Sequence, residues 1–173
     1  MGEYAGMLGE DFVYNICCYF DRKFGFDVIY NCYEARNSTS VLVNGERIRF
    51  DVIAVQQRKN TTGHRATPVK FGFYCECKWR KRSDTLKSNL KTFLRKAIKT
   101  TPAIRETYAD NFRFLFICNR QFKVNSENLK DLDYLRGFLG DGYSTAELND
   151  LSGRTGIVIL DDWFVDEALK GGV

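Results

Sequence analysis

Histidine is almost missing from this chain. His64 is the only one in 173 residues, which excludes acid–base catalysis by a histidine pair and the H-E-x-x-H zinc helix within one chain. A Ser-His-Asp triad would have to recruit His64 from the polar stretch RKNTTGHRATP, which reads as a loop. Proline occurs twice, at Pro68 and Pro102, and no linker, repeat or low-complexity stretch divides the sequence. One domain over residues 1–173 is expected. No apolar run approaches the roughly 18–20 residues of a membrane helix. The opening MGEYAGMLGEDF carries no signal-peptide core, so a cytoplasmic chain is expected. The phosphate-cradling patterns G-x-x-x-x-G-K-[ST] and G-x-G-x-x-G are absent, so no nucleotide cofactor is expected. Six cysteines, at 17, 18, 32, 75, 77 and 118, include no C-x-x-C pair and no Cys/His cluster. They are expected to be thiols and not zinc ligands.

What remains for chemistry is carboxylates, lysines and a metal. The net charge is only +4, from 26 basic and 22 acidic residues, but the basic ones are concentrated. Residues 78–99 hold nine Lys or Arg and one acid, Asp84. That patch suits a polyanion, with a solvated helix face as the bland alternative.

The periodicities predict an α/β domain with a mixed sheet. A first helix is expected at about 4–23, from Leu8, Phe12, Val13, Ile16 and Phe20. A strand follows at 26–34. VLVNGERIRFDVIAV (41–55) holds an Asn44-Gly45 hairpin signal between strand-like runs. Residues 69–79 are a further strand. A helix is expected near 84–100, with Lys87, Lys91, Arg95 and Lys99 along one solvent face. FRFLFICN (112–119) reads as a buried central strand. A helix near 125–139, a strand at 157–160 and a helix at 161–170 complete the order.

The two-residue period of a strand gathers the candidate site. Phe71, Phe73, Cys75 and Cys77 share one face of their strand, and Tyr74, Glu76 and Lys78 share the other. In RIRFDVIAV, Ile48, Phe50, Val52 and Ala54 share a face, while Asp51 sits with Ile53 and Val55. An acid among apolar residues needs a partner or a metal. Adjacent antiparallel strands would bring Asp51, Glu76 and Lys78 together. Two carboxylates suit Mg²⁺, which activates a bound water and neutralises phosphoryl charge, and a nearby lysine can assist. The bland alternatives are ion pairs of Asp51 with Arg47 or Arg49, and of Glu76 with Lys78.

The pattern Asp51-x(24)-Glu76-Cys77-Lys78 resembles that of the PD-(D/E)xK nuclease superfamily. The resemblance covers about 7–165. Gly9-Glu10-Asp11-Phe12, then Gly25-Phe26-Asp27-Val28-Ile29, look like the helix-then-strand opening of restriction-endonuclease-like and Holliday-junction-resolvase domains. FLFICNRQF and GIVILDDWFVDEAL are similar in layout to the Mrr-type catalytic domain. The sequence departs from the pattern twice: Phe50 stands where proline usually precedes the aspartate, and Glu76 stands where Mrr-type domains often carry glutamine.

The resemblance implies an αβββαβ core and a metal-dependent endonuclease acting on DNA, as a homodimer if both strands of a duplex are cut. It implies Asp51 and Glu76 as ligands of Mg²⁺ (or Mn²⁺), with a main-chain carbonyl at Cys77, and Lys78 assisting the attacking water. Glu10 is a further candidate ligand, with a solvated or capping acid as the alternative. Arg80, Lys81, Lys87, Lys91 and Arg95 would contact phosphates. Trp79 and Tyr74 are expected to be structural before they stack on bases. The rival reading is a non-catalytic nucleic-acid-binding or assembly subunit of the same fold; the third is RNA as substrate.

Overall fold

Strands that are apolar on both sides must lie between two layers of helix. The computed structural model of the chain has this build. It describes residues 12–19, 22, 27–30, 39–58 and 69–160. Helix α1 is described over residues 12–19. The strands are β1 (Asp27–Tyr30), β2 (Ser40–Val43), β3 (Glu46–Arg49), β4 (Val52–Arg58), β5 (Val69–Lys78), β6 (Phe112–Cys118) and β7 (Thr155–Ile159). Helix α2 (Leu86–Tyr108) joins β5 to β6, and α3 (Leu132–Leu139) and α4 (Thr145–Arg154) join β6 to β7. The main sheet has the order β1-β4-β5-β6-β7, antiparallel up to β5 and parallel from β5 to β7. No described helix is long and apolar enough to cross a membrane.

The 112–119 run is the buried interior strand its composition predicts. Phe112, Phe114 and Phe116 point into a large core under α2. Leu115 and Ile117 point into a smaller one under α1, with Phe12, Ile16, Cys17 and Cys75. The same double cover applies to β5: its Cys75 and Cys77 side lies in the smaller core, and its other side is not simply a polar face. Tyr74 is 5% exposed and belongs to the larger core. Glu76 therefore rises from a buried face.

Asn44-Gly45 forms the expected two-residue turn, both residues at positive φ (49° and 82°). The strand run beyond it is not continuous, however. β2 and β3 form a separate two-stranded sheet, and the chain bends at Phe50 and Asp51 before β4. Phe50 consequently packs with Tyr74, Phe93 and Phe114 in the core under α2, away from Val52, with which alternation had grouped it.

α2 runs eight residues past the expected end at 100 and carries Pro102 inside it. Proline removes one helical N–H and crowds the preceding turn. Here Thr100 donates its hydroxyl to the Lys96 carbonyl at 2.9 Å, and Thr101 to that of Ala97 at 2.8 Å. The helix expected at 125–139 is a 3₁₀ turn (Asn128–Lys130) followed by α3. α4 was not anticipated. Its signal is the capping box Ser144-x-x-Glu147, with both reciprocal hydrogen bonds formed. The expected helices beyond 160 and before 12, with Glu10, Cys32, His64 and Trp163, lie outside the described residues.

Arg154 locks the lower edge of this framework. It is 8% exposed and sits 4.0 Å over the Phe112 ring. It donates to the carbonyls of Asp110 (2.9 Å) and Phe112 (3.1 Å) and to the carboxylates of Asp110 (2.8 Å) and Asp150 (3.0 Å). Arg154→Met removes four hydrogen bonds from this corner, each worth about 0.5–1.5 kcal/mol, while Arg113 still donates to the carbonyls of Asp110 (3.5 Å) and Phe112 (2.8 Å). The expected loss of stability is about 2–4 kcal/mol, read from urea unfolding midpoints; a loss under about 1 kcal/mol would contradict this role.

Candidate active site

Asp51 stands where the chain passes from one sheet to the other. The Phe50 amide donates to the Thr39 carbonyl at 2.9 Å, closing the base of the hairpin. The Asp51 amide donates to the Cys75 carbonyl at 3.1 Å, opening the β4–β5 ladder. The last rung of that ladder is Val52 opposite Cys75, so Asp51 comes to lie beside Glu76. Past the rung the Cys77 amide is unpaired by β4, and it donates to Asp51 Oδ2 at 2.8 Å. N–H and C=O of one strand residue face the same neighbour. The Cys77 carbonyl is thus turned toward the Asp51 side as well.

Glu76 and Lys78 project from the same face of β5, two residues apart. Lys78 Nζ lies 3.1 Å from Glu76 Oε1. Lys96 of α2 lies 2.6 Å from Glu76 Oε2, and it also donates to the Arg49 carbonyl at 2.7 Å. The bland reading of Glu76, an ion pair with Lys78, is therefore realised in this arrangement. That of Asp51 is not: its hydrogen-bond donor is a backbone amide, and neither Arg47 nor Arg49 pairs with it.

Burial pushes the Asp51 carboxyl up to about 6, and the Glu76 charge adds to the rise. The Cys77 amide, Lys78 and Lys96 pull the other way without overcoming it. A buried carboxylate beside a second acid is an arrangement that a cation relieves. Burial also raises the thiols of Cys75 and Cys77, which face the core under α1. They are not poised as thiolate ligands.

The donors present are those of a hard ion. Asp51 Oδ1 makes no hydrogen bond among the described residues, and the Cys77 carbonyl lies on its side. Glu76 would join by exchanging an ammonium for the metal. No group of three His, Cys, Asp or Glu side chains that could hold a metal ion occurs among the described residues. The set fits Mg²⁺ in particular, which keeps several waters and takes few protein ligands.

The basic candidates divide. Arg80 and Lys81 follow Lys78 at the carboxyl end of β5, beside exposed Arg82 and Arg120. Lys87, Arg95 and Lys99 are exposed and Lys91 is half-buried, as their spacing predicts, but they are not without neighbours. α3 packs beside them: Lys87 and Lys91 lie 5.9 and 5.2 Å from the Phe138 ring centroid, and Arg95 donates to the Leu139 carbonyl at 3.1 Å. Lys99 pairs with Glu46 of the hairpin at 2.7 Å. Tyr74 is buried and structural, and Trp79 packs on the core under α1.

Two residues escaped the sequence reading. Lys96 was grouped only with the basic patch; it lies three residues after Phe93 and four before Thr100, both buried, which marks it as sheet-facing. Asn119 accepts from the Arg80 amide at 2.8 Å and donates to the Arg80 carbonyl at 2.9 Å, clamping the segment after Lys78 to the end of β6.

No protein-family model matches this chain, and no curated protein does.

Proposed function

We propose that this chain is a metal-dependent endonuclease that hydrolyses phosphodiester bonds in DNA, on a restriction-endonuclease-like core. The observation that carries the reading is the meeting of Asp51 and Glu76 on neighbouring antiparallel strands, with Lys78 on Glu76 and the Cys77 backbone beside Asp51. The order α1-β1-β4-β5-α2-β6, three antiparallel strands and then a parallel one, supports the αβββαβ core. The β2–β3 hairpin is an insertion between its first two strands, and β7 an addition at its edge.

Asp51, Glu76 and the Cys77 carbonyl are the residues that would hold the ion. When bound, it supplies positive charge to phosphoryl oxygens and a lowered pKa to water. Asp51 is held in place by the Cys77 amide, so its free oxygen is presented without rearrangement. Lys78, released from Glu76, is placed to orient the attacking water and to share charge on the phosphate. Arg80, Lys81, Arg82 and Arg120 favour a phosphate backbone at the carboxyl ends of the strands. Cutting both strands calls for two such sites, hence a homodimer.

A second reading is a non-catalytic nucleic-acid-binding subunit, favoured by one observation: both oxygens of Glu76 are already neutralised by lysines. One assay separates the two. Wild type and Lys78→Ala are incubated with supercoiled plasmid, linear duplex, an RNA duplex and a four-way junction, with Mg²⁺, Mn²⁺ or EDTA. The expected result is metal-dependent DNA cleavage that falls at least about 10²-fold in the variant. Binding without any cutting would transfer the assignment to the second reading, and cleavage confined to RNA would change the substrate.

A further inference from the structure

The site holds more positive charge than its proposed chemistry uses. Lys78 serves one oxygen of Glu76, at 3.1 Å. Lys96 takes the other at 2.6 Å, the closer contact, and comes from the opposite layer. Its remaining directions are also committed. The Arg49 carbonyl accepts from it at 2.7 Å, and the Phe50 ring centroid lies 4.8 Å away. A carboxylate, a carbonyl and an aromatic face make a three-sided cation receptor. The Lys96 side chain is 19% exposed and is mounted on a 23-residue helix, so it does not swing freely into solvent.

We propose that Lys96 is the second cation of this site: it occupies the position on Glu76 that a second metal ion would need, so the site takes one divalent ion and not two. The inference rests on the nuclease reading. Two-ion sites place their metals about 3.5–4 Å apart and share carboxylate oxygens between them. Here Glu76 Oε2 is held by Lys96, Oε1 by Lys78, and Asp51 Oδ2 by the Cys77 amide. Among the described residues, Asp51 Oδ1 is the open carboxylate oxygen of the pair. Charge agrees with this count. Two carboxylates and two ammonium groups already balance, and a second divalent ion would be added against an unrelieved positive field.

Calorimetric titration with Mn²⁺ and with Mg²⁺ tests this on the wild type, Lys96→Met, Lys96→Gln and Lys96→Arg, with circular dichroism confirming that each is folded. Wild type and Lys96→Arg are expected to bind one ion. Lys96→Met and Lys96→Gln are expected to bind two, or to bind one at least about tenfold more tightly. The glutamine variant carries the test if the methionine variant does not fold. One ion of unchanged affinity in the folded neutral variants would overturn the role of Lys96 and leave the nuclease reading intact. Two ions in the wild type would overturn it too. No ion bound by wild type or any variant would remove both.

Discussion

Asp51→Asn is expected to abolish cleavage, by at least about 10²–10³-fold, and at the same time to make the protein more stable at neutral pH. The second effect separates an active-site acid from a structural one. In the folded chain, burial and the neighbouring Glu76 push the Asp51 carboxyl from 3.8 up to about 6. The folded state therefore holds that proton more tightly than the unfolded chain does. As pH rises from about 4 to about 6 the proton must be given up, and stability declines across that window and levels off above it. The whole penalty corresponds to at most about 3 kcal/mol. Asparagine preserves an oxygen for the Cys77 amide and carries no charge. Melting temperatures of variant and wild type should coincide near pH 4 and separate above pH 6, with the variant higher. Saturating Mg²⁺ should then raise the wild type alone, by about 2.7 kcal/mol at a hundredfold excess over its dissociation constant. An Asp51→Asn protein that melts below the wild type at pH 7–8 would mean that Asp51 stabilises the fold, contrary to this account.

Glu76→Gln should lose cleavage to a similar degree, yet lose stability as well. Its side chain is 12% exposed and neutralises two lysines whose side chains are 24% and 19% exposed. Removing it leaves both ammonium groups facing a neutral amide in a half-buried site. Breaking a fully buried pair costs about 3–5 kcal/mol. The remaining solvent contact of the lysines reduces this, and about 2–3 kcal/mol is expected. There is a further consequence at Asp51. The charge on Glu76 is the second cause of its raised pKa, so the stability decline between pH 4 and 6 should be smaller in Glu76→Gln than in the wild type. Urea midpoints at pH 4 and pH 7 read both effects. The two carboxylates, alike in their effect on cleavage, are thus opposite in their effect on folding. If both substitutions stabilised the protein, the two-lysine cradle around Glu76 would not be contributing to the fold.

Local pattern was enough to read much of this molecule. The Asn44-Gly45 turn, the apolar run from Phe112 to Cys118 and the apolar stripe of α2 are each written within one element. Backbone sterics and side-chain period act over two to seven residues. The pairing of Asp51 with Glu76 was legible for a related reason: once the two runs are taken as neighbouring antiparallel strands, the two-residue period places their acids on one side. The Ser144-x-x-Glu147 box was equally local and marks α4 in the same way.

Three-dimensional packing settled the rest. Alternation continues unbroken from Ile48 to Val52, and nothing within it marks the bend at Phe50 and Asp51; that bend follows from the Thr39 carbonyl and the Cys75 carbonyl competing for successive amides of one strand. The row Lys87, Lys91, Arg95 stays at the surface as its period predicts, but its partners come from α3, more than thirty residues later in the chain. Lys96 is one basic residue among nine until α2 is laid on the sheet, where a carboxylate twenty residues earlier and a carbonyl from a separate hairpin converge on its ammonium. Sequence thus specified which groups the chain owns and which face of each element carries them. Which charges meet, and which are thereby cancelled, depends on contacts between elements distant in the chain, and a single element's period carries no information about those distances.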